Sequence, residues 1–306
     1  MNDLRVNLFQ YESTKRLPIE SYCPTESTKN IPLVILAGMN VLPAVKSKSV
    51  VLSYEKHRKA NYHGAFPALL ASETKSVVYI IYPPAVARNG HARGMYTAET
   101  MKLQMEEALS MAGDRAYVIT HSLSTLLAFD ILTGKDNAIA SLKNRIVGLT
   151  LSSPFTSMED ALMHNRQERT IFGLSWMYLL KKSQHLPLLA PYPLAAQYWH
   201  EGDCPEQDNP HWRPYRWVNT QSAQYILSRN GCQEAKESDN TSVLVIVTEQ
   251  DKIFSTDKQD AIASSLKACV SFIPSGHRWF TAPLPDLERV VDDITTHYKD
   301  CTTPQK

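Results

Sequence analysis

The sequence predicts an α/β fold, with a mostly parallel central sheet and helices on both of its faces. Three observations carry that expectation. Six short apolar runs punctuate the 306 residues: Leu33–Leu36, Val77–Tyr82, Ala116–Thr120, Ile146–Leu151, Val243–Val247 and Cys269–Ile273. Each is apolar at consecutive positions, as strands covered on both faces are. Helical stretches alternate with these runs, the order that βαβ units produce. No internal repeat, low-complexity tract or Gly/Ser linker interrupts the chain, which is long enough to bury a sizeable core.

The elements follow in order. Leu4, Val6 and Leu8 alternate with polar residues and Pro18–Cys23 follows a short turn, so the chain opens with an antiparallel hairpin at the sheet edge. Met101, Met105, Ala108 and Ala112 recur at helical spacing, so Thr97–Ala112 lays one apolar stripe on the sheet. Leu287, Val290, Val291 and Ile294 repeat the pattern, with Asp286 as the expected N-cap. Between about Ser157 and Asn240 no parallel-strand run occurs, and four of the five tryptophans fall there. An insertion of that size between two strands reads as a helical subdomain rather than a loop.

Composition narrows the function classes. Lys and Arg number 32 against 31 Asp and Glu, so no electrostatic footprint points to nucleic acid. No apolar run reaches the length of a membrane span, and residues 1–10 lack a signal-peptide core. The five cysteines, Cys23, Cys204, Cys232, Cys269 and Cys301, are scattered, which predicts neither disulfides nor zinc but a reducing, cytoplasmic setting. His164, His185, His200 and His211 lack paired ligand spacing, so no metal and no cofactor are expected. Lys46, Lys48, Lys56, Arg58 and Lys59 can meet an anionic substrate or a membrane surface peripherally, but read first as a solvated insertion. His91 reads as a surface-loop histidine, and the aromatic and basic run Asn209–Trp217 as packing within the insertion.

One segment carries chemistry. Tyr117-Val118-Ile119-Thr120-His121-Ser122-Leu123-Ser124 ends an apolar strand on a serine and leads into a helix at Thr125–Leu132. Such a turn lifts the hydroxyl out of the sheet, and the helix N-terminus behind it faces developing negative charge. Taken alone, Ser122 reads equally well as a helix N-cap. Its companions shift the balance, because a serine nucleophile needs a base and the base an orienting carboxylate. Val243–Val247 runs into Thr248-Glu249-Gln250-Asp251, and Cys269–Ile273 into Pro274-Ser275-Gly276-His277. Both candidates fall just past strand C-termini, where open α/β sheets place their ligand crevice. Glu249 remains the alternative acid, and His121 is set aside as a base because its ring should point away from the Ser122 hydroxyl. Oxyanion donors are expected from the N–H of Leu123 and, in the loop after Leu33–Leu36, of Met39 beside the turn-forming Gly38.

With these motifs in place the chain resembles the α/β-hydrolase superfamily along its whole length. In layout it is most similar to the capped esterase, monoacylglycerol-lipase and lysophospholipase-like members. The family's G-x-S-x-G stands here as Thr120-His121-Ser122-Leu123-Ser124. The resemblance implies Ser122 as nucleophile, His277 as base, Asp251 as its orienter, and Met39 and Leu123 as oxyanion donors. It also implies a core of residues 1–157 and 239–306 and a helical cap of residues 158–238. The expected reaction is hydrolysis of carboxylic esters with a hydrophobic acyl group, given the aromatic and Leu-rich cap (Phe172, Trp176, Leu179, Tyr198 and Trp199 among others). A thioesterase or acyltransferase would use the same acyl-enzyme, and a non-catalytic ligand-binding module of this fold is the alternative from another class.

Overall fold

A computed structural model of the chain describes residues 6–12, 17–26, 30–38, 64–82, 97–134, 141–164, 190–191, 217–218, 220–236 and 241–303. Eight strands form one sheet: β1 (Val6–Glu12), β2 (Pro18–Pro24), β3 (Leu33–Leu36), β4 (Val78–Ile81), β5 (Ala116–His121), β6 (Ile146–Ser152), β9 (Val243–Thr248) and β10 (Cys269–Ile273). Their spatial order is β1-β2-β4-β3-β5-β6-β9-β10. The β1–β2 and β2–β4 pairs are antiparallel, and every pair from β4 to β10 is parallel. The predicted hairpin therefore sits at one edge; Leu4 lies outside the described residues. Two further strands, β7 (Ala190–Pro191) and β8 (Trp217–Val218), pair antiparallel as a separate ribbon.

Eight described helices accompany the strands: α1 (Phe66–Thr74), α2 (Ala98–Ala112), α3 (Thr125–Thr133), α4 (Met158–His164), α5 (Thr220–Leu227), α6 (Gly231–Glu234), α7 (Thr256–Leu266) and α8 (Leu284–Thr302). Phe66, Leu70, Leu287, Val291 and Ile294 of α1 and α8 build one apolar layer with Ile35, Ile119 and Ile246 of the sheet. Met105, Leu126, Phe129 and Ile262 of α2, α3 and α7 build the other with Val34, Val118 and Val245. Alternate residues of one strand thus feed opposite layers, which is why the central strands read as uninterrupted apolar runs.

Local chemistry sets the helix ends. Thr97 and Thr100 cap α2 reciprocally: Thr100 N–H donates to Thr97 Oγ1 (3.3 Å) and Thr97 N–H to Thr100 Oγ1 (2.9 Å). The last helix differs from expectation. It begins at Leu284 with Pro283 as N-cap, and Asp286 lies inside its first turn. Pro285 needs no N–H partner at that position, and Asp286 still meets the positive end of the helix dipole. A second correction concerns β10, read as covered on both faces. It pairs on one side only, with β9, and Val270 and Phe272 are 39% and 41% exposed because β10 is the sheet edge.

The chain runs from β3 to β4 on one side and then returns to β5 on the other side of β3. The crevice between the C-terminal ends of β3 and β5 is therefore the topological switch point, where open α/β sheets receive ligands. Gly38 and Ser122 flank it.

Candidate active site

Each site residue follows a strand whose hydrogen-bonded ladder holds it in place. β5 is buried along its whole length, and the chain leaves it at Ser122 with φ of 56°. A side-chain-bearing residue in the left-handed region costs on the order of 1–3 kcal/mol, so surrounding contacts must hold the turn. They do so through hydroxyls. Ser124 Oγ accepts from the His121 N–H (2.8 Å) and lies 2.9 Å from both the Leu36 and His121 carbonyls. Thr125 Oγ1 donates to the Ser122 carbonyl (2.6 Å), and Thr120 Oγ1 to the Thr150 carbonyl (3.3 Å). Thr120 and Ser124, two residues to either side of Ser122, thus tie the turn to β6 and β3.

Gly38 explains how close the neighbouring loop comes. A Cβ there would meet the His121 carbonyl oxygen at 3.0 Å and the Ser122 Cβ at 3.4 Å. The missing side chain lets the backbone after β3 run this near the serine without displacing either partner. Leu123, 4% exposed, lies in the 3-10 turn Ser122–Ser124 that opens into α3. Met39 lies outside the described residues, as do Lys46, Lys48, Lys56, Arg58, Lys59 and His91.

The structure brings Ser122, His277 and Asp251 into one hydrogen-bonded line. His277 Nε2 is 2.9 Å from Ser122 Oγ, and His277 Nδ1 is 2.9 Å from Asp251 Oδ2. The ring is flanked by His121 (centroids 4.9 Å apart) and Phe254 (5.4 Å) and is nearly buried. Backbone bonds tie the two turns that carry the histidine and the acid: Gln250 N–H donates to the Ser275 carbonyl and Glu249 N–H to the Ile273 carbonyl, both at 3.0 Å. Glu249 itself is exposed and makes no contact with the ring among the described interactions.

Asp251 is buried yet well supplied with donors. Its Oδ1 accepts from the Ile253 and Phe254 N–H groups (2.8 and 3.1 Å), and its Oδ2 from Thr248 Oγ1 and Gln259 Nε2 (2.9 and 3.2 Å). Burial pushes this carboxyl up, but the adjacent His277 charge and the hydrogen bonds outweigh it. The carboxyl is held below the usual carboxylate range.

No protein-family model matches the sequence, and a search of curated proteins finds no match either. Solved structures are similar along nearly the full length. A soluble variant of monoglyceride lipase from Saccharomyces cerevisiae, in complex with a substrate analogue, superposes with a TM-score of 0.60 at 13% identity, covering 98% of this chain and 97% of that one. The monoacylglycerol lipase of Paleococcus ferrophilus gives 0.59 at 17% identity, covering 92% and 99%. A thermophilic esterase from Thermogutta terrifontis, with malate bound, gives 0.56 at 15% identity, covering 98% and 99%. The chain has the α/β-hydrolase fold.

Within this α/β-hydrolase fold, several residues make contacts around the site that the sequence did not indicate. The buried ring of His121, set aside as a base, packs on His277 (4.9 Å) and on Phe280 (4.7 Å), with Nδ1 3.2 Å from Ser152 Oγ. His164, at the end of α4, donates its Nε2–H to the Asp251 carbonyl (2.8 Å). Gln259 Oε1 accepts from the Thr248 N–H (3.1 Å) while its amide reaches Asp251. Gln259 is a polar residue in the apolar stripe with Ile262, Ala263 and Leu266, a break that periodicity alone does not tie to Asp251.

Most of residues 158–238 lies outside the described set. What is described clamps both ends of that stretch to the sheet's helices. Asp160 of α4 accepts from Thr156 Oγ1, the Ser255 N–H and Lys258 Nζ. Arg229 pairs with Asp130 of α3 and with Glu234, its guanidinium lying over the Tyr225 ring. Among the described residues no cluster of His, Cys, Asp or Glu is placed to hold a metal, and no helix is long and apolar enough to cross a membrane.

Proposed function

We propose that the protein is a serine hydrolase that cleaves carboxylic esters with a hydrophobic acyl group through an acyl-enzyme. The observation that supports it most directly is the continuous Ser122–His277–Asp251 hydrogen-bonded line at the switch point of the sheet. In this reading His277 Nε2 takes the Ser122 proton as Oγ attacks the acyl carbon, and the N–H groups of Leu123 and Met39 receive the oxyanion. His277 then protonates the leaving alkoxide, and the alcohol departs. A water, deprotonated by the same ring, attacks the acyl-enzyme, and collapse returns the proton to Ser122 as the acid leaves. Asp251 holds the Nδ1–H tautomer and faces the transient imidazolium.

The hydrophobic acyl preference rests on the aromatic and Leu-rich sequence of residues 158–238, read as a cap over the crevice. The non-catalytic reading is disfavoured by the left-handed Ser122, a strained conformation that a binding module has no need to keep. The test has two parts. A fluorophosphonate probe should label the wild type at Ser122 and leave Ser122→Ala unlabelled. Against p-nitrophenyl esters from acetate to decanoate, kcat/KM should climb about three- to fourfold per methylene until the pocket fills, from ~0.8 kcal/mol per buried CH₂. Absence of labelling would sink the hydrolase reading, and a flat chain-length profile the lipophilic one. Faster turnover of acyl thioesters, or product esters formed with added alcohol, would redirect it to a thioesterase or an acyltransferase.

A further inference from the structure

Gln104 interrupts the apolar stripe of α2. It lies between Met101 and Met105 on the sheet-facing side and is 1% exposed. Its Nε2 stands 2.7 Å from the Ile81 carbonyl oxygen and 3.2 Å from that of Ala37. Ala37 N–H in turn donates to Ile81 O (3.1 Å). One side-chain amide therefore bridges the C-terminal ends of β3 and β4, at the residue that precedes Gly38.

The same short piece of chain is gripped from the other side. Ser124 Oγ, in the turn that follows Ser122, lies 2.9 Å from the Leu36 carbonyl. Gly38 packs so tightly on the elbow that a Cβ would reach the His121 carbonyl. Ala37 lies one residue beyond β3, where the parallel ladder ends, and a buried carbonyl there needs a donor from elsewhere. Packing alone would be served by Leu or Met at position 104. What glutamine adds is two N–H donors, one for the Ala37 carbonyl that enters this loop and one for the Ile81 carbonyl of β4 beside it.

We infer that Gln104 is a positioning residue for the loop after β3: it fixes the Ala37–Gly38 peptide beside Ser122 and so sets where the backbone donors of that loop stand. The inference rests on the ester-hydrolase reading given above. Oxyanion donors act only if they are in place before the charge develops, and a displacement of about 1 Å costs on the order of 10²-fold. Because the oxyanion exists only in the transition state, the loss belongs in kcat and leaves KM nearly untouched.

The experiment compares wild type, Gln104→Met and Gln104→Glu. Methionine keeps the length and volume but has no donor. A buried carboxyl facing two carbonyl oxygens stays protonated and keeps one donor. Three quantities are read: kcat and KM on one p-nitrophenyl ester, the affinity for an alkylboronic acid that adds to the serine as a tetrahedral anion, and the melting temperature. In Gln104→Met, kcat should fall roughly 10–100-fold with KM within about twofold. The boronate affinity should fall in parallel, and Gln104→Glu should lie between the two. A folded Gln104→Met within about twofold of wild type in kcat and boronate affinity overturns the inference, as does a rise in KM at unchanged kcat. Where Gln104→Met does not fold, an unchanged Gln104→Glu overturns it instead. A wild type that neither turns over esters nor labels removes the hydrolase reading itself, a different result from an active wild type with an indifferent variant.

Discussion

Gln259 Nε2 donates to Asp251 Oδ2 across 3.2 Å, while Gln259 Oε1 accepts from the N–H of Thr248 and lies 3.1 Å from its hydroxyl, whose proton goes to Asp251. The glutamine thus joins the last residue of β9 to the carboxylate that faces His277. Removing it leaves a buried N–H and part of a carboxylate without their partners. Gln259→Leu should destabilise the protein by about 1–3 kcal/mol and lower kcat, because Asp251 loses one of its orienting contacts. Asp251→Asn should fold but lose about 10⁴-fold in kcat, since the amide no longer enforces the imidazole tautomer. Denaturant titration and steady-state kinetics on both variants check this pair; an Asp251→Asn enzyme within tenfold of wild type, on the scale of that expectation, would move the acid role elsewhere.

The Ser122 backbone offers a separate test of strain. With φ of 56°, an L-residue pays about 1–2 kcal/mol that glycine does not. Glycine loses about 0.4–1 kcal/mol of that gain through the greater freedom of its unfolded chain. Ser122→Gly should therefore be as stable as Ser122→Ala or more so, with both dead in turnover by about 10⁶-fold. A melting temperature for Ser122→Gly clearly below that of Ser122→Ala would show that the turn is not strained.

Acid stability follows from two carboxyls. Burial pushes Asp160 up, but the Thr156 hydroxyl, the Lys258 ammonium and the Ser255 N–H outweigh it, so Asp160, like Asp251, sits below the usual range. A depressed folded value means that the unfolded chain binds more protons in that interval, so stability rises with pH there. The contribution is complete above the ordinary carboxylate value of about 3.9 and is lost as pH falls through the folded values. Denaturation midpoints across the acid range should drop below about pH 4, and Asp160→Asn should flatten the drop. An unchanged slope in that variant would exclude Asp160 as a contributor.

Arg229 ties residues 225–234 to α3. Its guanidinium meets Asp130 and Glu234, with side chains of all three only 11–13% exposed. Breaking such a group from one side strands two carboxylates, at a cost of about 3–5 kcal/mol. Arg229→Met should show most of that loss, and the triple variant with Asp130→Asn and Glu234→Gln should recover part of it. Equal stability of the single and triple variants would mean that the carboxylates find water once the arginine is gone.

Ser122, Asp251 and His277 were legible because each follows a short apolar run by one to four residues, and short buried strands in a parallel sheet have few alternative readings. Gln104 and Gln259 were not, although each breaks an apolar stripe. Periodicity locates the stripe, but only the strand order reveals that carbonyls and a carboxylate lie above those positions. The exposure of Val270 and Phe272 escaped for a related reason: a five-residue apolar run looks the same at the centre of a sheet and at its edge. The start of α8 was displaced by Pro285, whose fixed φ suits the first turn and so lets the helix begin earlier than Asp286 suggests.

A substitution at Gly38 should affect activity more than stability. A methyl group there meets the His121 carbonyl oxygen at 3.0 Å and the Ser122 Cβ at 3.4 Å, contacts that a few tenths of an ångström of movement would relieve. The backbone of Gly38 does not lie in the left-handed region, so alanine brings no conformational penalty of its own. The movement has two ways to go. Either the loop after β3 lifts away from the elbow, against the Gln104 and Ser124 hydrogen bonds to Ala37 and Leu36, or the elbow shifts and drags Ser122 from His277. Both disturb the relation between the Ser122 hydroxyl and the backbone of the loop after β3, while leaving the apolar layers intact. Gly38→Ala should therefore cost no more than about 1–3 kcal/mol of stability, the range for overpacking, yet lower kcat by roughly 10²-fold. Fluorophosphonate labelling should slow by a similar factor, because phosphonylation passes through the same oxyanion geometry. A variant that labels and turns over at the wild-type rate would mean that the loop after β3 can retreat without consequence, and that the second oxyanion donor does not come from it.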